Sequence, residues 1–264
     1  MQPVEGARTF QVASENYDRF MGRYSKPLAT SFAAFAGIDA ALRVLDVGCG
    51  PGALTSELVG LVGTAQVAAC DPSPPFVAAC AARHPGVQVR AGSAEHVPFD
   101  DDAFDAAVAQ LVLHFVSDPK AAASELRRVT RAGGTVAACV WDFDEGMQML
   151  RAFWDAAVAT DPDAPNEAQV LRFGRHGELS QWLADGGFDE IDETQLHVDS
   201  TYRDFEELWG GFEAGIGPAG DYLKGRGEGD RVQVREAFFE RVGRPESAFT
   251  LHAVARAVRG CVAS

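Results

Sequence analysis

The sequence predicts an α/β fold: a Rossmann-like, doubly wound and mostly parallel seven-stranded sheet with helices on both faces and a helical lid. Three observations lead to this prediction. Short apolar segments alternate with helix-like segments five times within residues 1–141. A glycine-rich turn at 48–52 follows the first apolar segment. Two strand-like segments near the C-terminus would extend the same sheet, and right-handed crossovers would place helices on both of its faces.

The first half of the chain has a regular order of elements. Strands are predicted at residues 43–47, 66–71, 88–91, 105–110 and 135–140, and helices at 53–62, 74–83 and 119–130. Each strand is short and apolar, and each helix repeats apolar residues at helical spacing. Gly133 and Gly134 are expected to separate the last of these helices from the fifth strand.

The second half is less regular. Helices are predicted at 146–159, 177–184 and 203–245, the last interrupted by the glycine-rich stretch 210–229, and strands at 188–198 and 249–258. Both late strands can join the first sheet. We therefore interpret residues 1–264 as a single domain that begins with an N-terminal helical extension at 1–40.

Composition limits the classes of function. The chain has 264 residues and a formal net charge of −15, from 23 Lys and Arg against 38 Asp and Glu, which disfavours nucleic acid as a partner. The five cysteines form no CxxC pair and the histidines no metal-ligand spacing, so we expect no metal. Without a signal peptide or a membrane-length apolar run, the protein is expected to be cytoplasmic, with no membrane partner.

The turn at 48–52 is the most informative segment. Its glycines stand at alternate positions, where they permit unusual backbone angles and close approach of a ligand. Together with Ala53 the turn also satisfies the fingerprint of NAD- and FAD-binding proteins. Asp46 lies just before the turn, and its charge would repel a pyrophosphate there. The sequence thus disfavours a dinucleotide, and an NAD(P)-dependent oxidoreductase stays open as an alternative.

A second carboxylate, Asp71, ends the second predicted strand. A carboxylate at this position can accept both hydroxyl groups of a ribose, in nicotinamide and adenosine cofactors alike. The structural alternative is a turn or helix-capping aspartate before Pro72 and Ser73. The spacing from the glycine turn favours the ribose role.

Three motifs at their mutual spacing resemble the class I S-adenosylmethionine-dependent methyltransferases, especially the small-molecule branch that includes quinone and sterol methyltransferases. They are Asp46-x-Gly48-x-Gly50-x-Gly52, Asp71-Pro72-Ser73 and Gly92-Ser93-Ala94-Glu95-x-x-Pro98-Phe99. The resemblance is strong over about residues 40–142 and extends to the remainder only in general layout.

The resemblance implies S-adenosylmethionine as the cofactor and a binding core at 41–142. The residues implied to bind it are Tyr17, Asp46, Gly48, Cys49, Gly50, Gly52, Asp71, Pro72, Ser73, Ser93, Ala94 and Gln110. The glycine loop would lie against the methionine part, Asp46 near its ammonium group and Gln110 below it. Asp71 would hold the ribose, and Ser93, where the family often has Asp, would face the adenine. A cationic cofactor also suits an acidic pocket.

The N-terminal extension places Phe20, Met21 and Tyr24 at near-helical spacing after Tyr17. They could form a lid over the site or a helix packed on the sheet edge. In the resembling family a tyrosine of this segment often touches the cofactor carboxylate, and Tyr17 fits that role. Arg23 could pair with the same carboxylate.

His114 is the candidate catalytic residue. It follows the fourth strand, in a loop that passes the transferred methyl group in the resembling family, and an imidazole titrates near neutral pH. Lining the pocket, or bonding a backbone carbonyl, is the alternative role. Methyl transfer need not use a base, because the sulfonium is already electrophilic and gains mostly from proximity and orientation.

The acceptor is expected to be a small apolar or aromatic molecule, methylated on O, C or N by a monomer or homodimer. The helical insertions at 143–187 and 200–248 would form its pocket. Large apolar side chains concentrate in and near them, namely Trp141, Phe143, Met147, Phe153, Trp154, Trp209 and Phe212. Core packing explains these residues equally well. A protein that binds the cofactor without transferring methyl groups is a further alternative.

Overall fold

The computed structural model describes residues 20–142, 146–165, 172–215 and 217–263. Tyr17 and Phe143 lie outside the described residues. The helices are α1 (Gly22–Phe35), α2 (Ala53–Val62), α3 (Pro74–Arg83), α4 (Pro119–Val129), α5 (Gln148–Thr160), α6 (Glu178–Asp185), α7 (Phe205–Glu213), α8 (Gly217–Lys224) and α9 (Glu228–Arg241). The strands are β1 (Val44–Val47), β2 (Val67–Asp71), β3 (Gln88–Ala91), β4 (Phe104–Gln110), β5 (Thr130–Trp141), β6 (Phe188–Tyr202) and β7 (Phe249–Val262).

The seven strands form one sheet in the order β3-β2-β1-β4-β5-β7-β6. Strands β1 to β5 pair in parallel, and β7 runs antiparallel to both β5 and β6. This confirms the predicted mostly parallel, doubly wound sheet, and both late strands join it. The chain order reverses between β1 and β4, and open α/β sheets bind ligands at the carboxyl ends of the strands beside such a reversal.

Helices cover both faces of the sheet, as predicted. The central strands β1 and β2 are buried at every position, as expected where a parallel sheet is covered on both sides. Helices α1, α2 and α5 contribute to the apolar cluster on one face, and α4 and α6 to the cluster on the other.

The junction between α4 and β5 differs from the prediction. The strand begins at Thr130, directly after α4, and not at residue 135. Thr130 already pairs with Phe104, and the register then shifts before Ala106. Gly133 has a φ of 71° within this irregular stretch. The glycines therefore mark a bulge inside the strand and not a loop before it.

The late strands are longer than the sequence predicts, each by four residues (202 − 198 and 262 − 258). The residues added to each strand pair with the predicted part of the other strand, as Tyr202 does with Phe249 and Val262 with Phe188. Pairing between distant segments therefore sets these strand ends.

The lid helices α5, α7, α8 and α9 lie in the connections at the carboxyl edge of the sheet. Helix α5 follows β5, and α7, α8 and α9 connect the end of β6 to β7. Aromatic side chains join them: Phe153 stacks on Phe212 with ring centroids 4.4 Å apart, and Phe238 lies edge-on to both rings. Within the described ranges, no helix has both the length and the apolar character needed to cross a membrane.

Candidate functional site

The glycine turn connects β1 to α2 at the carboxyl edge of the sheet. Gly48 has a φ of 72°, and a Cβ atom there would overlap the side chain of Val112 from the segment after β4. Gly52 has a φ of 99°, and a Cβ atom there would lie 2.7 Å from His84 Nε2. Only glycine meets both the backbone and the steric requirement at these positions.

Helix α3 holds the outer side of the turn. Arg83 donates a hydrogen bond to the carbonyl oxygen of Pro51 at 2.9 Å. His84 Nε2 lies 3.3 Å from the carbonyl oxygen of Gly52 and 3.2 Å from the hydroxyl of Ser56. These contacts fix two carbonyl groups of the turn on the side of α3.

Asp71 joins the ends of β1 and β2, where the sequence predicts the ribose acceptor. Its Oδ2 accepts from the amide of Gly50 at 2.9 Å, and its Oδ1 accepts from the amide of Ser73 at 2.8 Å. Burial raises the pKa of Asp71, and the two amide hydrogen bonds oppose that effect. Each carboxylate oxygen has a second lone pair with which it can accept a ligand hydroxyl.

Asp46 points into the interior, below α2. It is 1% exposed, and its Oδ2 accepts a hydrogen bond from the Thr55 hydroxyl at 2.6 Å. Burial raises the pKa of Asp46 to about 7, the hydrogen bond from Thr55 opposes this, and the nearby charge of Asp71 adds to it. A cation placed near this pair of carboxylates would favour their ionised forms, so the site fits a positively charged ligand.

The third predicted motif lies beside Asp71. The amide of Gly92 donates to the carbonyl oxygen of Asp71 at 3.1 Å. Ser93 is half-buried and Ala94 buried. Ser73 is also buried, and its hydroxyl has no hydrogen-bond partner among the described residues. Pro72, in contrast, is exposed. The structure thus brings the Asp71 and Ser93 motifs together.

Cys49 faces the protein interior. Its thiol lies 3.5 Å from the carbonyl oxygen of Gly50. A hydrogen bond with Cys80 and burial together raise the pKa of Cys49, so its sulfur is a neutral thiol at physiological pH. A neutral buried thiol is a poor nucleophile, and we assign Cys49 no covalent role.

Gln110 ends β4 beneath α1. Its Nε2 donates to the backbone carbonyl of Ser25 at 2.9 Å. Because a carbonyl oxygen can only accept, this contact fixes the orientation of the amide. The Oε1 atom has no hydrogen-bond partner among the described residues, and Gln110 is 9% exposed.

His114 lies in the 3₁₀ turn Leu113–Phe115 and is 6% exposed. Its Nδ1 is hydrogen-bonded to the carbonyl oxygen of Arg172, which holds the segment before α6 against this turn. Burial lowers the pKa of His114 to about 4, although backbone contacts with Arg172 and Trp141 oppose the shift. The imidazole is therefore neutral at physiological pH.

The large apolar residues predicted near the acceptor pocket are all buried where the structure describes them. They are Trp141, Met147, Phe153, Trp154, Trp209 and Phe212. Phe153, Trp154, Trp209 and Phe212 join the lid helices to one another through ring contacts. Trp141 contacts Tyr24 of α1. Arg23 pairs with Glu207 of α7 at 2.6 Å. These contacts agree with the alternative that the aromatic residues serve core packing.

Sequence reasoning missed several residues that shape this edge. Thr55 binds Asp46, Arg83 and His84 bind the turn, and Ser25 receives Gln110. Of these contacts, only the one between Thr55 and Asp46 could have been predicted from helical spacing, because Thr55 lies in the first turn of the helix that follows the strand of Asp46. Among the described residues, no group of three or more His, Cys, Asp or Glu side chains could hold a metal ion.

Comparison with known proteins agrees with this geometry. The methyltransferase domain family matches residues 45–138. A demethylmenaquinone methyltransferase of Streptomyces avermitilis is 34% identical over 206 residues, which cover 72% of this chain and 88% of that protein. An uncharacterised Mycobacterium tuberculosis protein is 32% identical over 166 residues, and this match spans only 58% of that relative's length and 61% of this chain.

A solved structure shares the fold. Phosphoethanolamine N-methyltransferase 2 of Haemonchus contortus, determined with phosphomonomethylethanolamine and S-adenosylhomocysteine, superimposes with a TM-score of 0.59 at 14% identity, over 95% of this chain and 57% of that one. At this identity the similarity concerns the fold alone. From the match to the methyltransferase domain and the identity with the Streptomyces protein, we conclude that this chain belongs to the class I S-adenosylmethionine-dependent methyltransferases.

Proposed function

We propose that this chain transfers a methyl group from S-adenosylmethionine to a small, apolar or aromatic acceptor. The observation that carries the proposal is the placement of Asp46 and Asp71 on either side of the glycine turn at the carboxyl edge of the sheet. Buried carboxylates favour a cationic ligand, and a pyrophosphate would be repelled there. This supports the methyltransferase cofactor over NAD(P).

The residues present fit that cofactor. Asp71 would hold the ribose hydroxyls, with Ser73, Ser93 and Ala94 beside the adenine. The glycine turn and Gln110 would lie against the methionine part, and Asp46 would balance its positive charge from below. When bound, the cofactor supplies an electrophilic methyl group on a sulfonium. The protein's task is then to hold the acceptor in line with it and to exclude water.

We propose a positioning role for His114 in place of general-base catalysis. Its pKa of about 4 makes the neutral imidazole a weak base, and Nδ1 is occupied by the carbonyl of Arg172. By this bond His114 would set the position of the segment before α6 relative to the turn after β4. The acceptor pocket would lie between this edge and the lid helices of the 143–187 and 200–248 insertions.

The name of the Streptomyces relative supports a small-molecule acceptor, since that protein is a demethylmenaquinone methyltransferase. Oxygen, carbon and nitrogen acceptors are all compatible with a site that has no required base.

Calorimetric titration tests the cofactor assignment. We expect S-adenosylmethionine and S-adenosylhomocysteine to bind and NADH not to bind. Tight binding of NADH without binding of S-adenosylhomocysteine would instead favour an oxidoreductase. Formation of S-adenosylhomocysteine with a panel of phenols, hydroquinones and amines then tests transfer. Binding without turnover on any member of the panel would favour a protein that holds the cofactor without transferring methyl groups.

A further inference from the structure

Two polar side chains stand unsatisfied at the ends of β4 and β5. The indole nitrogen of Trp141 and the Oε1 atom of Gln110 are both buried, and neither has a hydrogen-bond partner in the part of the chain that the structure describes. The hydroxyl of Ser25 on α1 is in the same situation. Burying a polar group without a partner is unfavourable, so each such group needs an explanation, and a bound molecule that completes its contacts is one.

The three residues lie near one another between the sheet and α1. Gln110 and Ser25 are in direct contact, through the bond from Nε2 to the Ser25 carbonyl at 2.9 Å. Gln110 is paired with Cys139 across β4 and β5, and Trp141 lies two residues after Cys139, so both side chains are on the same face of the sheet. Helix α1 covers that face, where Tyr24 and Trp141 have ring centroids 6.2 Å apart.

These residues lie on the β5 side of the glycine turn, towards the lid helices. In the sheet order, β4 separates β5 from β1, and neighbouring strands are about 4.8 Å apart. Trp141 therefore lies two strands away from the turn that follows β1. It ends the strand that leads into α5, one of the lid helices.

The chemistry of the two atoms specifies a complementary group. An indole nitrogen only donates, and the fixed amide oxygen of Gln110 only accepts. A carbonyl oxygen would satisfy Trp141 but not Gln110, and an ammonium group would satisfy Gln110 but not Trp141. A hydroxyl accepts from the first and donates to the second, and Ser25 can take either role.

We infer that Trp141 and Ser25, together with the Oε1 atom of Gln110 beside the methionine part of the cofactor, recognise a hydroxyl group of the acceptor. This rests on the proposed function, because it assumes that an acceptor occupies the space beside the cofactor. It narrows that function by naming the polar group of the acceptor that is bound.

Three probes of matched shape test the site, each titrated into protein saturated with S-adenosylhomocysteine: 2-naphthol, 2-methoxynaphthalene and naphthalene. We expect 2-naphthol to bind about tenfold more tightly than 2-methoxynaphthalene, the effect of one hydrogen bond of about 1.4 kcal/mol. Gln110→Met should remove this preference. Trp141→Phe should weaken the binding of both oxygen-containing probes and leave naphthalene unchanged.

A matched control separates recognition from packing. Trp182 lies in the other apolar cluster, and its indole nitrogen donates to the carbonyl of Pro119 at 2.8 Å. Trp182→Phe should lower the midpoint of urea unfolding and leave probe affinities unchanged. Trp141→Phe also loses buried volume but removes a donor that has no partner among the described residues, so it should lower the midpoint by less than Trp182→Phe does.

Equal affinities for the three probes, including no binding of any, would overturn the inference. So would a Trp141→Phe variant that loses as much stability as Trp182→Phe and keeps its probe affinities. Variants that weaken the binding of S-adenosylhomocysteine instead of the probes would also overturn it, because they would assign these groups to the amino-acid part of the cofactor. Failure of the wild-type protein to bind S-adenosylhomocysteine would contradict the proposed function itself, and titrations without that ligand would still test the preference for 2-naphthol.

Discussion

Both carboxylate oxygens of Asp71 accept hydrogen bonds within the protein, from backbone amides that follow two different strands. Gly50 belongs to the turn after β1, and Ser73 to the start of the segment that leads into α3. The carboxylate therefore shapes the turn as well as offering lone pairs to a ribose. A substitution here is expected to act on cofactor binding by both routes.

Asp71→Asn should weaken S-adenosylhomocysteine by about 1–3 kcal/mol, because the amide nitrogen cannot accept the hydrogen bonds that a carboxylate oxygen accepts. Calorimetry on both proteins measures the difference. Asp101→Asn is the matched control, since the Asp101 side chain is 72% exposed and pairs with Arg128 at the surface. We expect it to change affinity by less than about 0.5 kcal/mol. Equal affinity for the wild type and Asp71→Asn would rule out the ribose role.

At the scale of elements, α1 is held over the sheet by polar contacts with the late half of the chain. Tyr24 and Tyr202 share a hydrogen bond of 3.0 Å between their hydroxyls, and Tyr202 is also 3.1 Å from the sulfur of Met149 in α5. The guanidinium of Arg23 lies 3.9 Å above the Tyr202 ring and pairs with Glu207. Tyr202 at the end of β6 thus connects α1 to α5, and Arg23 connects α1 to α7. These elements border the proposed acceptor site.

The aromatic residues of the lid form its core, and this makes a prediction about Phe153. Phe153→Ala should reduce the free energy of unfolding by about 3–5 kcal/mol, as expected for a fully buried ring that leaves a cavity. Leu61→Ala, at a side chain that is 39% exposed, should change it by less than about 1 kcal/mol. Urea unfolding of the two variants tests this. Should Phe153 instead contact the acceptor, Phe153→Leu would alter acceptor affinity while leaving stability nearly unchanged.

At the scale of the whole molecule, local patterns predicted the first half of the fold better than the second. The glycine turn, the strand-end aspartates and the parallel strands are coded by short segments, and they fall where the sequence places them. The start of β5 at Thr130 and the ends of β6 and β7 depend on pairing with distant strands. The burial of Phe153 and Phe212 in the lid depends on packing between helices that are remote in sequence. The contacts of Thr55 with Asp46 and of Gln110 with Ser25 are of the same kind.

The pH dependence of stability should combine two buried groups that act in opposite directions. The folded-state pKa of Asp46 is raised to about 7, so the fold holds a proton that the unfolded chain releases near its ordinary value, and Asp46 lowers stability as pH rises towards 7. The folded-state pKa of His114 is lowered to about 4, so the unfolded chain binds the proton first, and stability falls as pH drops from about 6.5 towards 4.

Single variants separate the two contributions. Asp46→Asn keeps an oxygen that can accept from Thr55 but cannot ionise, so its stability relative to the wild type should increase as pH rises from about 4 to 7, by an amount on the order of a few kcal/mol. His114→Asn should gain relative to the wild type in the opposite direction, as pH falls from about 6.5 to 4. Urea unfolding at a series of pH values gives both differences. Because the two slopes oppose each other over the same range, the wild-type curve should be flatter than that of either variant, and parallel curves for all three proteins would show that neither group is perturbed by its burial.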